Sequence, residues 1–116
     1  MQVVVLNKHT DPVEFYRNTG WQIIDIMRPG PYGNPYPVKR YGRLPAIARY
    51  RDDFAAVHVQ RLYEAVKSSD RVALLCCCKP EPCHGDVLAL WLQAMDSQQR
   101  AKTLDDVLSR VPKQSK

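Results

Sequence analysis

VALLCCCKPEPCHGDVLALWLQAM, Val72–Met95, passes from an unbroken apolar run through a proline-stiffened turn into a helical pattern. A run without polar alternation reads as a strand, Val72–Cys76, covered on both faces. Pro80 and Pro82 keep the turn out of helix interiors. Gly85–Met95 then reads as a helix whose Leu88, Leu90, Trp91, Leu92 and Met95 form a broad apolar surface.

The chain outward from this stretch repeats the alternation. Ser68, Ser69 and Asp70 form a turn before the strand, and Leu44–Lys67 carries apolar residues near helical spacing at Ile47, Tyr50, Phe54, Val57, Leu62 and Val66. Val3–Leu6 and Trp21–Met27 read as two further strands. Between them Asp11–Thr19 reads as a short helix, with Asp11 as cap, Pro12 in the first turn and Gly20 as terminator. Arg28–Gly42, RPGPYGNPYPVKRYG, has too many prolines and glycines for a central strand or a helix interior and reads as a loop. Leu104–Val111 reads as a last helix, capped by Thr103 with Asp106 three residues on. The pattern predicts one small α/β domain over 1–111, with a mainly parallel sheet flanked by helices and a frayed tail at 112–116.

The totals narrow the function classes. No apolar run approaches the roughly 20 residues of a membrane span, and MQVVVLNK reads as a first strand rather than a leader, so a cytoplasmic protein is expected. Cysteines there stay reduced, which speaks against a disulfide framework. The net charge is +5, and from Arg28 to Arg51 six basic residues and four tyrosines occur with no Asp or Glu. Such a span attracts anions, although a solvated basic face has the same composition.

Ligands of parallel sheets bind beyond the carboxyl ends of the strands. That rule puts the turns after the second and third strands at one crevice. Cys83, His84 and Asp86 fall where the last long helix begins and are the candidate catalytic groups. A thiol there meets free N–H groups that favour its thiolate, and an adjacent imidazole can serve as base. The plainer alternative is a buried small Cys83 and a capping His84. Cys76, Cys78, Cys83 and His84 also form a Cys-x-Cys-x4-Cys-His pattern, the set that would hold zinc if a metal were bound. All four come from one short turn, unlike the paired knuckles of structural zinc sites. Candidate ligand-binding residues are Arg28, Gly33, Asn34 and Arg49, with Asn7 and Lys8 at the end of the first strand. Neither a dinucleotide fingerprint nor a P-loop is present, so no cofactor is implied.

Asn7-Lys8, Arg28-Pro29, Gly33-Asn34-Pro35, the Ala46-Ile47-x-x-Tyr50 helix and the Leu74–Ala89 motif together resemble the phage and bacterial family catalogued as domain of unknown function 4326. The resemblance spans residues 3–93; the last motif is specific and the first two are not. Carried over by position, the matching residues are Asn7, Lys8, Arg28, Gly33, Asn34, Pro35, Arg49, Tyr50, Cys76, Cys78, Pro80, Cys83, His84, Gly85 and Asp86. Cys77 stands where an aromatic is expected and His9 where a basic residue is expected. The resemblance implies a Rossmann-like domain, and proposals for the family point to nucleotides or nucleosides without an established reaction.

The leading expectation is a protein that binds a nucleotide or nucleoside, with chemistry at an N-glycosidic or phosphate bond if it is an enzyme. One alternative is a non-catalytic phage-type factor that contacts a host protein or nucleic acid through the basic, tyrosine-rich span. A second is a zinc-stabilised small domain. No membrane partner is expected.

Overall fold

The computed structural model describes residues 1–111, and the expected tail at 112–116 lies outside the described residues. Strands β1 (Gln2–Asn7), β2 (Gln22–Asp25) and β3 (Arg71–Cys76) form a three-stranded, fully parallel sheet in the order β1-β3-β2. The chain crosses from β1 to β2 and returns to β3 in the middle. The register pairs Val5 with Leu74 on one side and Ile24 with Leu74 on the other.

β3 is central, and Val72 through Cys76 are all buried. Its side chains alternate between two cores. Val72, Leu74 and Cys76 join Ile26, Leu62, Leu88 and Leu92 on one face. Ala73 and Leu75 join Leu6, Tyr16, Trp21 and Ile23 on the other. Leu62, Leu74, Leu88 and Leu92 are fully buried, and each contributes roughly 2 kcal/mol. Helix α1 (Val13–Asn18) covers the smaller core, while α3 (Arg43–Asp53), α4 (Ala55–Val66) and α5 (His84–Ser109) border the larger one. Successive crossovers in opposite directions carry their helices on opposite faces, as a constant crossover hand requires.

Four local expectations are corrected. Asp11 does not cap α1: its carboxylate accepts the Asn7 N–H at 2.6 Å and Pro12 takes the cap position. Gly20 does terminate α1, at φ +90°, where the Gly20 and Trp21 N–H groups close a Schellman-type end on Arg17 and Tyr16. The loop 28–42 contains a one-turn helix, α2 (Val38–Tyr41), and ends at Gly42 with φ +84°, which lets α3 start in a new direction. The single helix expected over 44–67 is two. It breaks at Phe54, where Asp52 and Asp53 meet the negative end of α3 and Phe54 turns into the cluster of Tyr36, Tyr50 and His58.

The fourth correction concerns the C-terminal region, where two expected helices are one of 26 residues. No Gly or Pro interrupts 86–111, and Thr103 bonds back to the Gln99 carbonyl at 3.0 Å instead of capping a new helix. The distal part of α5 carries Leu104, Val107 and Leu108 exposed. No helix of the described residues is long and apolar enough to cross a membrane.

Candidate functional site

The carboxyl ends of β2 and β3 feed the two unusual turns, and a cavity of about 110 Å³ lies between them. Met27, Arg28, Asn34 and Tyr36 line it from the turn after β2; Cys76, Cys77, Cys78, Pro82, Cys83 and His84 line it from β3 and its turn. Val38, Arg43 and Ile47 complete the wall. Arg28 and Arg43 are in this lining, which has no Asp or Glu.

The sulfur-rich turn is tied down by its own polar groups. Asp86 stands at the third position of α5 and accepts the Cys83 N–H at 3.0 Å, completing a capping box. Its other oxygen pairs with the Lys79 ammonium. His84 is buried, lies 2.7 Å through Nε2 from the Ile26 carbonyl oxygen and packs edge-on to Tyr50 at 4.8 Å. Burial holds the imidazole below its ordinary pKa, outweighing the backbone carbonyls of Ile26 and Tyr32 that favour its charge. The neutral ring donates Nε2–H to Ile26, which fastens the start of α5 to the end of β2. Gly85 is needed for a close approach: a Cβ there would stand 2.7 Å from Ile26 Cδ1 and 3.0 Å from Val5 Cγ1.

Asn7 belongs to the same scaffold. Its Nδ2 donates to the Lys79 carbonyl at 2.7 Å and its Oδ1 accepts the His9 N–H at 2.8 Å, so β1 is stitched to the turn after β3. Lys8 is exposed, 3.3 Å from Asp25, and does not line the cavity.

In the basic turn, Asn34 forms an Asx turn through the Tyr36 N–H at 2.9 Å, and its Nδ2 donates to the Ala46 carbonyl at 3.2 Å. Gly33 does not supply a left-handed backbone; a Cβ there would lie 2.8 Å from Arg28 Cγ and 2.9 Å from Arg28 N. Its bare face therefore lets the chain fold onto Arg28. Among the described residues Arg28 has no side-chain hydrogen bond or ion pair, and its guanidinium remains available at the cavity wall. Arg43 joins the two turns, donating to the Pro82 carbonyl at 3.0 Å. Arg49 lies outside the cavity lining, stacked 4.6 Å from the Tyr41 ring and 5.6 Å from Tyr36. Tyr50 is core: its hydroxyl sits 2.7 Å from His58 Nδ1 and 3.2 Å from the Tyr32 carbonyl oxygen, and burial pushes its pKa up.

The structure thus brings Arg28, Asn34, Cys83 and His84 to one cavity and leaves Asn7, Lys8, Gly33, Arg49 and Asp86 outside its lining. Sequence reasoning did not place Tyr36 and Arg43 there. For Arg43 the signal was its helical i,i+4 relation to Ile47, which puts a charge and an apolar residue on one face. The zinc arrangement finds no geometric support: among the described residues no three His, Cys, Asp or Glu side chains form a metal-holding group. The four cysteines are free thiols, with Cys76 and Cys83 buried, Cys78 half-buried and Cys77 exposed. Cys77, where an aromatic was expected, lines the mouth of the cavity, and His9 is exposed beyond it.

No curated protein and no solved structure is matched by this chain. One family model is matched, over residues 13–94, from α1 through the first half of α5, including both turns that border the cavity. Because that match covers most of the chain and the whole cavity wall, the protein belongs to the family described as domain of unknown function, DUF4326.

Proposed function

We propose that the cavity between the turns after β2 and β3 binds a phosphate-bearing nucleotide or nucleoside derivative. The observation that carries this reading is the pairing of Arg28 and Arg43 on a wall free of carboxylates. Arginine meets phosphate oxygens through aligned N–H donors. Met27, Val38, Ile47 and Tyr36 offer the apolar and aromatic surface a base or sugar ring needs. The position, beyond the carboxyl ends of parallel strands, is where α/β sheets take ligands, and it fits a reduced Rossmann-like unit.

The geometry supports binding more than catalysis by the three residues at the start of α5. Asp86 is engaged by the Cys83 N–H and Lys79, and His84 by the Ile26 carbonyl. Chemistry at an N-glycosidic or phosphate bond therefore requires the ligand to displace one of these contacts. The rival reading, a nucleic-acid or host-protein surface, draws on Arg40 and Arg49, which stack on the half-buried Tyr41 ring. Arg–aromatic pairs of that kind also serve as binding anchors.

A thermal-shift panel of nucleosides, their monophosphates and inorganic phosphate separates these readings. The cavity reading expects monophosphates to raise Tm above the unphosphorylated nucleosides, with the shift reduced in Arg28→Ala and retained in Arg40→Ala. No shift with any of them, or loss confined to Arg40→Ala, overturns it.

A further inference from the structure

We infer that Cys76 and Cys83 form a peroxide-reactive dithiol at the floor of the cavity, in which Cys76 is oxidised first and Cys83 resolves it as an intramolecular disulfide. The inference goes beyond ligand binding and does not depend on which anion the cavity takes. The two sulfurs lie 3.5 Å apart, one at the end of β3 and the other at the cap of α5. Both line the cavity, although each residue is otherwise buried, so the cavity is the route by which a small oxidant reaches them.

The surroundings divide the roles. The two sulfurs share one hydrogen bond, and the Cys78 and Lys79 N–H groups and the Lys79 ammonium favour the Cys76 thiolate, against burial. Burial and the Asp86 carboxylate favour the protonated Cys83 thiol. The exposed thiol is not the activated one: burial and its cysteine neighbours push Cys77 up. Thiolate character governs attack on peroxide, and a nearby second thiol converts the sulfenic acid to a disulfide.

The steps balance. The Cys76 thiolate sulfur attacks one oxygen of hydrogen peroxide, the O–O bond breaks, and hydroxide leaves to take up a proton as water. Cys76 is then a sulfenic acid. The Cys83 sulfur attacks the Cys76 sulfur, the S–O bond breaks, and the hydroxyl departs with the Cys83 proton as a second water. Two thiols have given two electrons to one peroxide. A dithiol reductant reverses the change by exchange. In the oxidised form the cavity wall loses a thiolate and a hydrogen-bond donor together.

The test is mapping of the full chain after brief exposure to hydrogen peroxide. Intact mass should fall by two hydrogens, alkylation should modify two of the four thiols, and fragmentation should place both alkyl groups on Cys77 and Cys78. Dithiothreitol should restore all four. The Cys77→Ser/Cys78→Ser double variant should still form the disulfide. Adding Cys83→Ser should leave a dimedone-reactive sulfenic acid on Cys76. The inference is overturned if the wild-type disulfide contains Cys77 or Cys78, if oxidation stops at the exposed Cys77, or if all four thiols survive. The wild-type map needs no variant to fold.

Discussion

The turn after β3 and the turn after β2 border the same cavity, yet they use their polar groups differently. After β3, Asp86, Lys79 and His84 are each bound to a neighbour within the fold, Asn7 of β1 bonds to the same turn, and His84 is almost fully enclosed. After β2, Asn34 shapes the turn, but Arg28 is left without a partner among the described residues while Gly33 packs against its stem. Buried polar groups must be satisfied internally because water cannot reach them. A charged head at a cavity wall can keep its donors for something else. The difference teaches that the cysteine-rich motif, the more conspicuous of the two in sequence, mainly builds the cavity, and it is the unpaired Arg28 of the basic turn on which the proposed anion site rests.

Substitutions on the two sides should therefore fail in opposite ways. The largest stability loss is expected for His84→Ala, which strands the Ile26 carbonyl and opens a hole beside Tyr50; urea unfolding should show about 3 kcal/mol. Gly85→Ala comes next. Helix propensity favours alanine by about 1 kcal/mol, but the added methyl meets Ile26 and Val5 in a packed core, and overpacking of about 2 kcal/mol decides the sign. Asp86→Asn weakens the capping box and the Lys79 pair, with an expected loss of about 1 kcal/mol in the same measurement.

Acidification probes the scaffold side without a mutation. His84 and His58 both have pKa values lowered in the folded state, chiefly by burial. The unfolded chain then binds more protons, so stability is complete above the ordinary value of 6.5 and declines as pH falls below it. Tm should drop between neutral and mildly acidic pH, and the drop should be shallower in His58→Gln. A flat profile contradicts the neutral, buried His84. On the recognition side, Arg28→Ala should change stability by less than about 0.5 kcal/mol, as exposed substitutions do, while weakening ligand binding.

The sheet was legible because β1 and β3 are built on unbroken apolar runs, and β3 shows no alternation because both its faces are covered. Helix boundaries were less so. Phe54 sits at helical spacing, and only its packing against Tyr36, Tyr50 and His58 explains the break there. Thr103 and Asp106 imitate a capping box, but nothing between Met95 and Thr103 ends the preceding helix. For the cavity, the turns followed from the rule for parallel sheets. Tyr36 and Arg43 did not, because the bend at Gly42 that brings α3 against the Cys turn is a tertiary fact.

The most direct test of the central claim is isothermal titration of a nucleoside monophosphate into the wild-type chain and into Arg28→Ala/Arg43→Ala. The account predicts saturable binding to the wild type and a loss of tenfold or more in the double variant, since one charge-assisted hydrogen bond is worth about 1.5–3 kcal/mol. Equal affinity in the two proteins, or no heat of binding to the wild type for any of the common bases, contradicts it.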